Sequence, residues 1–117
     1  MKFAKPPAYI RFLNALDTLD RLKPGKQLDG IEEQLLDYIT LHSEQNKALL
    51  VGDLINLSQF GSQATLHGRL KNLVVMDYVR LVVDKDDGRK KSVALSAKAI
   101  KHYEALSKCL ENALKQG

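Results

Sequence analysis

The period of the apolar residues changes once along this chain, and the change is what limits the folds open to it. Up to about Val75 the apolar positions recur at helical spacing, with Leu66, Leu70 and Leu73 falling at i, i+4 and i+7 behind the N-cap candidate Ser62. From Tyr78 to Val83 they alternate, placing Val79, Leu81 and Val83 on one face of a strand. Lys85–Arg89 is a turn built around Asp87-Gly88, a strong hairpin signal, and Lys91–Leu95 returns with Val93 and Leu95 toward the core. Ser96 then caps a last helix that carries Ile100, Tyr103, Leu106, Cys109, Leu110, Ala113 and Leu114.

Upstream of this block the spacing predicts three more helices. Pro6-Pro7 keeps the first residues extended, and Tyr9, Phe12, Leu13, Leu16 and Leu19 set a helix from Ala8 to about Leu22, stopped by Lys23-Pro24-Gly25. Asp29 with Glu32 reads as a capping box opening a second helix, with Ile31, Leu35, Tyr38 and Ile39 as its stripe and an end near Ser43 to Asn46. Leu49-Leu50-Val51 suits one small strand. Gly52-Asp53 starts a short helix with Leu54, Ile55 and Leu57, and Ser58–Gly61 is a turn before Ser62. The order expected is helix, helix, small strand, helix, turn, helix, hairpin, helix: a helix-turn-helix followed by a wing, mostly α with a small β-hairpin. We expect one compact domain, with residues 1–28 an N-terminal arm and helix, 29–95 the winged core, and 96–117 a C-terminal helix.

The totals agree with a folded chain. It has 117 residues, 44% of them hydrophobic and 27% charged, enough to bury a core without staples. The single cysteine, Cys109, excludes an internal disulfide and a cysteine-based zinc site, and suits a reducing compartment. Its plain reading is a small apolar helix residue rather than a redox sensor. No apolar run reaches the length of a membrane span, and the lysine-bearing start at Met1 and Lys2 lacks the apolar stretch of a signal peptide, so a cytoplasmic protein is expected. His42, His67 and His102 fall on different elements without ligand spacing, and no nucleophile or phosphate-loop signature appears; neither an enzyme nor a cofactor or metal is expected.

The charge of +4 allows a polyanionic partner, and the fourth helix is where it would be met. Opposite its leucines lie Ala64, Thr65, His67, Gly68, Lys71 and Asn72, short polar, amide and cationic groups suited to base edges and phosphates of a major groove. No acid occurs between Ser62 and Met76. Gly68 costs helix stability in mid-helix, which fits a backbone that must come close to something. Arg69 sits nearer the core side and is read as flanking, reaching a phosphate or pairing with an acid of the domain. At the wing, Lys85, Arg89, Lys90 and Lys91 form a basic tip tempered by Asp84, Asp86 and Asp87. A solvated face would explain either feature alone; the two together favour double-stranded DNA.

Gly61–Leu73, followed by Asp77-Tyr78-Val79, resembles the recognition helix and following strand of MarR-type winged-helix regulators. Asp87-Gly88-Arg89 and Val93–Ala99 are similar to that family's D-x-R wing and V-x-L-[ST]-x-K-[GA] start of the dimerisation helix. The resemblance covers about Asp29 to Lys108. It implies a winged-helix transcriptional regulator, with Ser62, Thr65 and His67 as base or phosphate contacts on the recognition helix and Arg89 as the wing arginine of the minor groove; Gln63 is expected among the DNA contacts of the same helix. Gly68 departs from the longer polar residue usual there, and the chain is shorter than the usual member. No effector ligand is assigned. Tyr9, Phe12, Leu13 and Leu16 with Leu106, Cys109, Leu110, Ala113 and Leu114 make stripes too wide for one contact, so a homodimer is expected. Rival readings are a winged helix used for protein–protein contact and a plasmid or phage replication or partition protein.

Overall fold

The computed structural model describes residues 3–23, 25–43, 45 and 49–115. Met1, Lys2, the Pro24 of the helix stop, and the tail of the second helix at Glu44 and Asn46 lie outside the described residues. The elements are α1 (Ala8–Leu22), α2 (Gly30–Ser43), β1 (Leu49–Leu50), α3 (Val51–Ile55), α4 (Gln63–Val75), β2 (Val79–Val83), β3 (Lys91–Leu95) and α5 (Ala97–Lys115). This is the expected order, mostly α with a β wing. The chain divides into two units, residues 28–100 and the pair of segments 1–27 and 101–117.

The larger unit is the winged helix-turn-helix. Its three strands are antiparallel in the order β1-β3-β2, with Val79 opposite Leu95 and Leu81 opposite Val93, while Leu49 pairs Val93 from the other side. Leu35, Leu36 and Ile39 of α2, Leu54 of α3, and Leu66, Leu70 and Leu73 of α4 pack with Val79, Val93 and Ala99 in its core. Each fully enclosed leucine contributes about 1.5–3 kcal/mol by leaving water. The capping box at α2 forms as read: Glu32 N donates to Asp29 Oδ1 (2.8 Å) and Asp29 N donates to Glu32 Oε1 (2.9 Å). The stripe of α2 is turned from the one expected, because Leu36 and Glu32 are enclosed while Ile31 and Tyr38 are half-buried.

One strand-level expectation changes. Only Val79 of the β2 face is buried; Leu81 and Val83 stay exposed because the hairpin extends beyond the helices that cover its base. The turn read over Lys85–Arg89 lies in the connection between the two strands. The strands end at Val83 and Lys91, and Gly88 does not adopt positive φ. The α3 helix begins one residue early, at Val51, where the Leu50 N–H donates to Asp53 Oδ2 (3.1 Å), and it ends at Ile55, leaving Leu57 beyond it.

The smaller unit pairs α1 with the later turns of α5. Pro7 holds extended geometry (φ −63°, ψ 161°) directly before α1, as the two prolines predict. Arg11 Nε donates to the Ala113 carbonyl (2.8 Å), and Lys23 Nζ lies 3.1 Å from His102 Nδ1, so the helices run antiparallel. No residue of α1 is buried. Among the described residues, no helix is long and apolar enough to cross a membrane.

Candidate nucleic-acid interface

Helix α4 is anchored at its start, along one side, and at its end. At the start, Ser62 Oγ accepts from the Thr65 N–H (3.2 Å) and donates to Thr65 Oγ1 (2.9 Å), the N-cap read from the sequence. Gln63 Nε2 donates to Asn56 Oδ1 (3.1 Å), tying α4 back to the end of α3 across the turn. The inner side is Leu66, Leu70 and Leu73.

Its end is a Schellman motif without glycine. Asp77 takes the left-handed position (φ 66°), the Tyr78 N–H donates to the Leu73 carbonyl (2.9 Å), and the Asp77 N–H donates to that of Val74 (3.0 Å). The start of α5 locks this end. Ser96 Oγ donates to the Asp77 carbonyl and accepts from the Ala99 N–H, so Ser96 caps α5 while holding the end of α4. Lys98 Nζ donates to the Met76 carbonyl (2.7 Å) and sits 4.5 Å from the centre of the Tyr78 ring, placing a cation at the negative end of α4. Burial pushes the Tyr78 hydroxyl up from its ordinary value, so it stays protonated at neutral pH. Sequence reading named Ser96 and Lys98 only as part of a helix start; their spacing was the available signal for this second role.

The outward face of α4 carries Gln63, Ala64, His67, Gly68 and Lys71, all exposed. Ile55, Gln63, Ala64 and His67 line a shallow open concavity where α3 meets α4. A Cβ placed on Gly68 would meet no atom within 4 Å beyond its own stretch of helix, so no packed neighbour among the described residues requires glycine there. Asn72 does not join this face. Its Nδ2 donates to Oε2 of the enclosed Glu32 (3.0 Å), because α2 presents a buried acceptor on that side. Arg69 likewise turns to the domain, with Nε 2.7 Å from Asp29 Oδ2, an ion pair whose N–H is not aligned as a hydrogen bond.

At the wing the aspartates build the loop. Asp84 Oδ1 accepts from the N–H groups of Asp86 (2.8 Å) and Asp87 (3.1 Å), and the Asp84 N–H donates to the Lys90 carbonyl (2.9 Å), closing it. Asp87 Oδ1 accepts from the Arg89 N–H (3.0 Å) and faces Arg89 Nε at 3.3 Å, yet the Arg89 side chain is 94% exposed. An exposed pair of this kind is worth little and is easily exchanged for a phosphate. Lys85, Lys90 and Lys91 are exposed beside it. The cations of the tip are thus exposed, with Arg89 held only by its surface pair with Asp87, while Asp84 spends its acceptor on the backbone.

In the smaller unit, Tyr9 is 66% and Leu114 62% exposed, with Leu13 and Leu110 also open and Phe12, Leu16, Leu106 and Cys109 half-buried. Ala113 departs from the expected interface. At 3% exposure it is already covered within its own chain, where α1 lies against it.

No protein-family model and no curated protein matches this sequence. Its fold is found among solved structures. An S. aureus MepR mutant bound to an oligodeoxyribonucleotide is similar at a TM-score of 0.68 with 22% identity, over 93% of this chain and 72% of that one. The S. aureus MepR–DNA complex gives 0.66 with 20% identity, over 92% and 73%. The transcriptional regulator Tm0710 from Thermotoga maritima gives 0.68 with 16% identity, over 93% and 68%. The likeness first drawn from the recognition helix and wing therefore holds for the fold, a winged helix shared with MepR and Tm0710.

Proposed function

We propose that this protein is a sequence-specific double-stranded DNA-binding regulator of transcription that acts as a homodimer, most simply by occluding a promoter. The observation that carries the reading is the outward side of α4. It is acid-free, held by caps at both ends, and leaves His67, Gly68 and Lys71 open beside a wing whose Arg89 is almost wholly exposed. Side chains of this kind hydrogen-bond base edges in a major groove, and an arginine at a hairpin tip reaches phosphate or the minor groove. That MepR, which shares the fold, has been solved bound to DNA supports the same use here. Ser62 and Thr65, which satisfy one another at the N-cap, would contact the duplex only from the rim, through phosphate.

Dimerisation is supported by α1, which buries none of its residues, and by the exposed Leu110 and Leu114 of α5. A two-fold axis would set two α4 helices about 34–36 Å apart, one turn of B-DNA. The test is fluorescence anisotropy with random-sequence duplex across a salt series. Affinity falling linearly with salt on logarithmic axes, through release of counterions, is the expected result. No binding at low salt would overturn the reading and favour a winged helix that contacts protein.

A further inference from the structure

Glu32 is, among the described residues, the one acid that the chain encloses, at 1% exposure. Both its oxygens are committed: Oε1 accepts from the Asp29 N–H (2.9 Å) and Oε2 accepts from Asn72 Nδ2 (3.0 Å). Asp29 is similarly divided, with Oδ1 accepting from the Glu32 N–H (2.8 Å) and Oδ2 beside Arg69 Nε (2.7 Å). Arg69 and Asn72 are one turn apart on α4, so two neighbouring acids at the start of α2 clasp two successive turns of the outward-facing helix.

An enclosed carboxylate loses its hydration, and hydrogen bonds must offset that cost. A leucine at the same place would fill the space and glue α2 to α4 with no such loss. What the carboxylate adds is direction. Apolar contacts let a helix slide or roll by fractions of an ångström, whereas one aimed hydrogen bond with an ion pair a turn away limits its rotation and its height. Base reading needs that constraint, since contacts must be held to about 0.5 Å and 10–20° to count.

We infer that Glu32 is a positioning residue for sequence recognition: acting through Asn72, and with Asp29 and Arg69 as the second arm, it sets the pose in which α4 enters the groove. This rests on the DNA-binding reading of α4. Asn72 accordingly shapes preference from behind the helix and touches no base.

Three variants test it: Glu32→Leu, Glu32→Gln and Asn72→Ala, compared on a selected site and on random duplex. Glu32→Leu should remain folded, keep its random-duplex affinity and salt slope, and lose roughly tenfold of its preference for the selected site, the size of one mismatched base pair. Glu32→Gln should keep most of the preference, because the Asn72 amide can turn its oxygen to the new donor. Asn72→Ala should match Glu32→Leu, and the double variant should be no worse than either. Full preference in a folded Glu32→Leu variant alongside a loss confined to Asn72→Ala would overturn the inference, since Asn72 would then read a base itself. If the parent protein binds no DNA, the functional reading fails separately. Amide hydrogen exchange of α4 then decides the clasp: faster exchange in Glu32→Leu sustains it, and unchanged exchange overturns it.

Discussion

Helices α4 and α1 are built to the same plan and meet opposite fates. Both are amphipathic, 13 and 15 residues long, with leucines at helical spacing. In α4 every leucine of the stripe is enclosed by its own chain; in α1 none of the apolar residues is. The difference separates a unit that completes its own core from one that does not. The winged unit closes α2, α3, α4 and the sheet around one another. The pair of α1 and α5 leaves Tyr9, Leu13, Leu110 and Leu114 facing water, which a second body would cover.

The largest effect expected from that contrast is on stability. Leu66→Ala, at a fully enclosed site, should cost about 2–5 kcal/mol in urea unfolding through lost burial and the cavity left behind. A cost well below 1 kcal/mol would mean that α4 is not integral to the core. The matching change on α1, Leu13→Lys, should leave the winged unit folded and act on association instead. Sedimentation equilibrium should show the dimer weakened by at least about tenfold, roughly 1.4 kcal/mol. A parent that is monomeric at micromolar concentration would break the comparison at its other end.

The wing sharpens the contrast further, because its residues are held by neither core. Arg89→Ala removes a side chain that is almost wholly exposed and makes only a surface pair with Asp87, so thermal stability should barely change. Binding should weaken on every sequence, and the slope of log affinity against log salt should fall by about 1. Equal affinity for parent and variant across the salt series would remove Arg89 from the interface.

What could be read from the sequence follows the same division. Local signals were legible: the Ser62 cap, the Asp29–Glu32 box, the leucine stripe of α4 and the order of elements all depend on residues within one or two turns. What could not be read depends on contacts made across the fold. Asn72 lies at the edge of the polar arc of α4, and no periodicity reveals that an enclosed carboxylate waits 40 residues upstream. The same holds for Lys98 reaching Met76, and for Ala113 covered by α1. At the wing the turn over Lys85–Arg89 was legible, but not that Asp84 gathers two backbone N–H groups to shape it. Sequence reading thus found which side of α4 faces outward and that Arg69 sits toward the core, and misjudged Asn72 at the border between the two sides.

Gly68 is the outward residue on which local and functional demands conflict, and it gives the smallest and most discriminating effect. Alanine there would meet no atom within 4 Å beyond its own stretch of helix and would suit the helix better, so Gly68→Ala should raise stability by about 0.5–1 kcal/mol. If the helix backbone approaches the groove at this turn, the added methyl should lower affinity for the selected site while the melting temperature rises. Stability and binding would then move in opposite directions, which a loss through misfolding cannot produce. Affinity unchanged or improved alongside the gain in stability would place the closest approach elsewhere on α4, toward Ala64 and His67.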